Sequence, residues 1–302
     1  MNTDFRTRLM ELTDLNLEDF YVSAGVSKSR AGRLVMRALL YSTAWKFAKQ
    51  VLDFDANVDA NGLAQGSRGM LARFSQKVQI EGADNIPLQG PVLILSNHPG
   101  MADALALFSA IPRRDLRVLA ASRPFLAALE AVSRYLIPID LETGQRMEVL
   151  RTTAGHLRQG GAVLTFPAGK IEPDPQVLPG ALESLDSWNP SLGLFARMVP
   201  GLTVVPVIVS GVIARQAVFH PLTRLRRGRA DRERLGASLQ LIMNEINPAI
   251  WPVTVHVRFA PAIRAADLEA LRDPAQITQA ILERLRPFLN KIIETGAQLA
   301  DR

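Results

Sequence analysis

Val92-Leu93-Ile94-Leu95-Ser96-Asn97-His98-Pro99-Gly100-Met101-Ala102-Asp103 passes from an apolar run through a polar turn to an acidic residue. The bulky run Val92 to Leu95 predicts a buried strand. The turn carries His98, and Asp103 stands five positions on, where the next helix should begin. Five residues on an ideal helix rotate by about 140°, so a pair in mid-helix would not share a face. Pro99 and Gly100 supply a turn that folds His98 back over Asp103. The expected result is an imidazole beside a carboxylate at the carboxyl end of a strand, where open α/β sheets put ligands. By itself a His–Asp pair is a common coincidence. Its place on a strand-turn-helix junction, with Asn97 and Pro99 beside the His, directs attention to the other strands.

Composition narrows the classes. A chain of 302 residues that is 48% hydrophobic is long enough for one large domain or two ordinary ones. Its mean hydropathy of +0.09 argues against disorder over most of its length. Thirty-five basic against 29 acidic residues leave a net charge of +6. That balance favours anionic partners, without choosing among nucleic acid, phosphorylated metabolites and anionic lipid. Three Trp and three Tyr leave few stacking platforms, so nucleic acid is not the expected partner. Cysteine is absent, which excludes disulfides and thiolate catalysis. The histidines, His98, His156, His220 and His256, lack ligand spacing, and no metal site is expected. No signal-peptide core or membrane-spanning run is visible. The expected location is cytoplasmic and peripheral to a membrane.

Residues 1–75 read as a helical region. Leu9, Leu12, Leu15, Leu17 and Phe20 mark a first amphipathic helix. A second, from Ser29 to Phe54, combines Leu34, Leu39, Trp45 and Phe47 with Arg30, Arg33, Arg37, Lys46 and Lys49. It reads either as part of a bundle packed on the main domain or as an interfacial helix on anionic lipid. Asp55 to Gly69, rich in Asn, Gly and Ala, reads as a loop or a poorly formed helix. From residue 76 to 302, strands at Val78–Ile80, 92–96, Leu116–Ala120, Leu136–Ile139, Val163–Phe166, Thr203–Val209 and Val253–Phe259 alternate with helices. The fold class is therefore α/β, with a mixed, mostly parallel sheet flanked by helices and an N-terminal helical region. Pro206 inside a strand calls for a bulge or an edge. Pro287 is expected to break or kink the last helix, from Pro274 to Leu299.

Glu81-Gly82-Ala83-Asp84-Asn85-Ile86-Pro87, Gly90-Pro91, the strand, and Asn97-His98-Pro99-Gly100-Met101-Ala102-Asp103 together resemble the glycerolipid and lysophospholipid acyltransferase family. That family has an Asn-His-four residues-Asp motif after such a strand. Further blocks follow in order. Tyr135 to Asp140 resembles a short strand ending in Ile-Asp-Arg, and Phe166-Pro167-Ala168-Gly169 resembles Phe-Pro-Glu-Gly-Thr-Arg. Val205-Pro206-Val207 resembles a Val-Pro-Val strand, and Val257 to Ile263 is similar to a late family strand. The resemblance covers about residues 76–263. It implies fatty acyl transfer from acyl-coenzyme A or acyl-carrier protein, acting as co-substrate with no bound cofactor, to a lipid hydroxyl in phospholipid biosynthesis. His98 would be the general base, since an imidazole titrates near neutrality. Asp103 would orient it and stabilise the imidazolium.

The departures concern the acceptor. Leu141 stands where the family has arginine, Ala168 replaces glutamate, and Lys170-Ile171 replace threonine-arginine. Neither Leu nor Ile can make the bidentate contact an arginine makes to phosphate. Lys170 offers a single charge, Arg123 or Arg146 is a candidate to reach the site, and Glu172 is a candidate to replace the glutamate. Asn97, Arg123, Gly169, Lys170 and Glu172 are thus the expected substrate-binding residues. For Lys170 and Glu172 a solvated loop pair is the competing reading. The acceptor need not be a glycerol phosphate. The alternative function is a lipid-binding or interaction protein that keeps the fold without transfer. The basic run from Arg224 to Arg234 reads as a solvated face, or as a contact for lipid or coenzyme phosphates.

Overall fold

The computed structural model describes residues 3–140, 146–268 and 270–300. In chain order, helices α1 (Thr3–Ala24), α2 (Arg30–Asn61) and α3 (Leu63–Leu71) precede strand β1 (Lys77–Glu81). Strand β2 (Val92–Ser96) leads to α4 (Met101–Ala110) and β3 (Leu116–Ala121). Two short helices, α5 (Pro124–Ala127) and α6 (Glu130–Ser133), precede β4 (Leu136–Ile139). Next come α7 (Arg146–Arg158), β5 (Ala162–Thr165), α8 (Ala181–Ser184), α9 (Leu192–Met198) and β6 (Thr203–Ser210). The remaining elements are α10 (Arg215–Val218), α11 (Arg229–Ile246), β7 (Thr254–Phe259), β8 (Ile263–Arg264) and α12 (Pro274–Ala300).

The chain divides into two compact units. One holds Met1–Lys77, Arg123–Ser133 and Ile213–Val253, and the other holds Val78–Ser122, Arg134–Val212 and Thr254–Arg302. The sequence places a division at 75/76; in the first unit two later segments join the N-terminal helices. Long-range polar and apolar contacts make those joins. Asp55, buried in α2, accepts the backbone N–H groups of Ala131 and Val132 at 3.0 Å each and pairs with Arg8 at 3.0 Å. It thereby satisfies amides in α6 that have no partner within the helix. Leu17, Phe20, Tyr21 and Ala44 pack together, with Leu241 and Ile242 of α11 against them.

Ser29 caps α2 through its hydroxyl, which accepts from Gly32 N at 3.0 Å. The stretch from Asp55 to Gly69 is helical, against the loop reading. Buried Asp55 and Val58 continue the packed face of α2, so tertiary contacts override the weak local propensity. Gly62 alone interrupts it. Its φ of 82° is left-handed, which lets α2 end and α3 begin within one residue.

In the second unit the strand order is β1-β7-β6-β2-β5-β3-β4, with β8 also on β6. From β6 to β4 the strands run parallel, while β7 and β8 pair with β6 antiparallel. The sheet is mixed and mostly parallel. Register sets Leu93 opposite both Val163 and Val204. On that face these residues meet Leu157 of α7, Phe195 of α9 and the stripe Ile277, Ile281, Leu285, Leu289 and Ile292 of α12. Leu93, Ile94 and Leu95 are wholly buried, each worth about 1.5–3 kcal/mol relative to exposure.

Both prolines find tolerant places. Pro206 accepts from Ala260 N at 2.8 Å, and in a strand a residue's C=O and N–H point the same way. The missing donor thus faces the crossing between β7 and β8. There the step Val204 to Val207 opposes the longer step Phe259 to Ile263, one extra residue and hence a bulge. Helix α12 runs unbroken through Pro287, against the expected break. Pro287 and Glu283, whose carbonyl loses its partner, are both exposed, so water reaches that carbonyl. The buried stripe holds the rest of the helix on the sheet.

Arg113 is a buried cation in the same unit. It donates to the carbonyls of Pro87, Gly90 and Gly160 at 2.8, 3.0 and 2.6 Å and forks onto Asp115. The Arg113 hydrogen bond holds the Asp115 carboxyl below its ordinary range.

Candidate active site

Strand β2 lies between β5 and β6, all three parallel, so the loops leaving their carboxyl ends share one edge. The polar turn after β2 brings the two residues of the motif together. His98 Nδ1 lies 2.9 Å from Asp103 Oδ2. The same oxygen accepts Gly100 N at 2.9 Å. Asp103 sits in the first turn of α4, where the amide dipoles favour an anion. Asp103 is wholly buried, whereas the His98 side chain is 29% exposed. A carboxylate only accepts, so it selects the tautomer with the proton on Nδ1 and the lone pair on Nε2. The Phe166 ring packs on the imidazole, with centroids 4.5 Å apart.

Asn97 is buried and joined to the sheet. Its Nδ2 donates to Val209 O at 2.9 Å, and its Oδ1 accepts Val209 N at 2.8 Å. The side-chain amide thus continues the β2–β6 ladder beyond the Ser96–Val207 pair. Where substrate contact was expected, the structure shows a residue that fixes the backbone just ahead of His98.

The loop after β5 separates two residues that the sequence had grouped. Lys170 is exposed, as is Ile171, whereas Glu172 is 2% exposed. For Glu172 the solvated-pair reading is thereby replaced. Its Oε2 accepts His98 N at 3.1 Å, and its Oε1 accepts Trp188 Nε1 and Ser184 Oγ at 2.9 Å each. Glu172 N in turn donates to His98 O at 2.8 Å. Burial pushes the Glu172 carboxyl above its usual range, against the pull of the Trp188, Ser184 and His98 donors. Two residues on, buried Asp174 accepts Gly211 N at 2.9 Å and Val212 N at 2.8 Å, just past β6. Gly169, at φ 63°, makes the left-handed turn that starts this loop.

The other expected residues lie elsewhere. Arg123, exposed, precedes α5 and belongs to the first unit. Arg146 opens α7 and is exposed. Leu141 lies outside the described residues. His156 contacts Asp115 O at 2.8 Å, His220 accepts from Leu222 N at 3.3 Å, and His256 lies 3.3 Å from Arg258. Sequence reasoning missed Asp174, Ser184 and Trp188. For Asp174 a signal was present in Glu172-Pro173-Asp174-Pro175. Each acid precedes a proline, which restricts it to extended conformations and so turns the two carboxylates to one side.

Residues 77–210 match the family model described as Acyltransferase, a span that includes His98, Asp103, Gly169, Lys170 and Glu172. Among solved structures, the crystal structure of the 1-acyl-sn-glycerophosphate (LPA) acyltransferase PlsC from Thermotoga maritima aligns over 95% of this chain and 96% of that one. The identity is 18% and the TM-score 0.42, too low a likeness to argue from. No curated protein matches the chain. Over residues 77–210, the chain is thus similar to the acyltransferase family.

Proposed function

We propose that this chain moves a fatty acyl group from an acyl thioester to the hydroxyl of a lipid acceptor. The observation that carries the reading is the 2.9 Å contact of His98 Nδ1 with buried Asp103, with the His98 ring partly open to solvent. His98 Nε2 takes the acceptor's hydroxyl proton as that oxygen attacks the thioester carbonyl. The C–O bond forms, the C–S bond breaks, and the proton passes from Nε2 to the leaving sulfur. Asp103 holds the ring and faces the positive charge that it gains. Coenzyme A or an acyl carrier protein is the thioester carrier.

Ala168, Ile171 and the single charge of Lys170 favour an acceptor other than a glycerol phosphate. The test offers labelled acyl-coenzyme A and acyl-carrier protein with glycerol phosphate, lysophospholipids of several head groups and lipids without phosphate. Transfer to one of the latter two classes is expected. Liposome binding with no turnover on any acceptor would instead establish a lipid-binding protein on this fold.

We further propose that the first unit rests on anionic membrane. Leu34, Leu39, Tyr41 and Trp45 of α2 are exposed, and Arg30, Lys46 and Lys49 share that helix. Among the described residues no helix is long and apolar enough to cross a membrane, so the fitting mode is interfacial. Sedimentation with phosphatidylglycerol vesicles should retain the wild-type chain and lose affinity by about 10³-fold in Leu34→Glu/Leu39→Glu, given about 2 kcal/mol per buried leucine. Equal binding by the two proteins would refute this surface.

A further inference from the structure

The Glu172 carboxylate meets three groups, and the two facing His98 and Trp188 are obligate donors. On one side stands the His98 backbone N–H, on the other the Trp188 indole N–H. The Ser184 hydroxyl can donate to Oε1, or donate to Ala181 O at 2.7 Å and accept instead. The site therefore asks for an acceptor at both oxygens. The return bond from Glu172 N to His98 O closes a two-point clamp on one residue. His98 is thus held at its backbone by Glu172, at Nδ1 by Asp103 and across its ring by Phe166.

From this geometry we infer that Glu172 is a positioning residue for the His98 base, acting through the backbone of the turn rather than by binding substrate. The inference rests on the proposed role of His98. It differs from the expectation that Glu172 contacts the acceptor, because both of its oxygens are engaged and it is 2% exposed. Asp174 does the same for the loop after β6, so the Glu172-Pro173-Asp174 segment ties together the ends of two neighbouring parallel strands.

The donor pattern makes a second-site test possible. In Glu172→Gln one oxygen becomes an NH2, which must face either His98 N–H or Trp188 Nε1–H. Two donors then confront each other in a buried place. Trp188→Phe removes one of them. In Glu172→Gln/Trp188→Phe the amide oxygen can accept His98 N while the NH2 donates to Ser184 Oγ. Glu172→Gln should lower kcat about tenfold or more, with KM for the acceptor little changed. The double variant should recover most of the loss, although it removes a second core residue.

Geometry is read independently of turnover by proton NMR of the imidazole N–H bound to Asp103, identified by its absence in His98→Ala. That resonance should move or broaden in Glu172→Gln and return in the double variant. If Glu172→Gln fails to fold, a titration of the wild-type chain decides. The His98 amide and the Trp188 indole proton, bound to one carboxylate, should shift together with one midpoint above the usual carboxylate range. The inference is overturned by an unchanged resonance in Glu172→Gln, by a double variant no better than the single one, or by independent titration of the two protons. A wild-type chain that keeps the resonance pattern but transfers nothing would reject the proposed reaction and leave the clamp standing.

Discussion

His98→Ala is expected to lower kcat/KM for acyl transfer by about 10³, within the 10²–10⁴ that a positioned general base supplies. The alcohol hydroxyl is a poor nucleophile while it keeps its proton. No other histidine belongs to this turn: His156 contacts Asp115 O, His220 accepts from Leu222 N, and His256 lies beside Arg258 on its own strand. Removing the ring also leaves Asp103 buried with one hydrogen bond fewer, so stability and rate have to be separated. His98→Asn serves that purpose, because its amide can still donate toward Asp103 but offers no base. Both variants should lose transfer, and His98→Asn should lose less thermal stability. Labelled acyl-coenzyme A and the best acceptor of the panel, with circular dichroism on the same samples, give the comparison. A His98→Asn enzyme within about threefold of wild type would remove His98 from the reaction.

How much of this could be read from residues alone depends on how local each constraint is. Val92 to Leu95 specified a buried strand because both faces of β2 are covered, and a continuous apolar run is what such a strand needs. The His98–Asp103 contact was legible because a turn within five residues makes it. Glu172 was named as a site residue but given the wrong surroundings. Its partners Ser184 and Trp188 lie 12 and 16 residues on, beyond any local pattern. The partner of Asn97 is equally remote, since Val209 is 112 residues away. Asp55 and Arg113 illustrate the matching blindness in the framework. Each is a charge that the fold buries on backbone groups far away in sequence. Polar residues that complete long-range backbone pairing therefore look like candidate ligands until the strands are assembled. Asn97 and Glu172 both bond backbone groups beside the turn that carries His98. They leave the open side of His98 as the place where chemistry is expected.

Asp103→Asn should be comparably damaging, with kcat lowered by about 10²–10⁴. The amide has two orientations, and each loses something specific. With its oxygen in the place of Oδ2 it still accepts from His98 Nδ1 and Gly100 N, and the tautomer survives. Its NH2 then occupies the place of Oδ1, a buried position where that atom has no hydrogen-bond partner, and the negative charge opposite the forming imidazolium is gone. With the amide turned over, the NH2 confronts Gly100 N–H and requires His98 Nδ1 to accept. The proton then moves to Nε2, and the base is lost outright. The pH profile distinguishes the two. Loss of a neighbouring anion disfavours the imidazolium, so in the first orientation the acid limb of the rate profile moves to lower pH while a reduced plateau remains. In the second the plateau itself collapses and no limb is measurable. Carbon-13 shifts of the His98 ring report the tautomer directly. An Asp103→Asn chain with wild-type kcat and an unmoved acid limb would show that the 2.9 Å contact is structural and that the charge of Asp103 plays no part in the transfer.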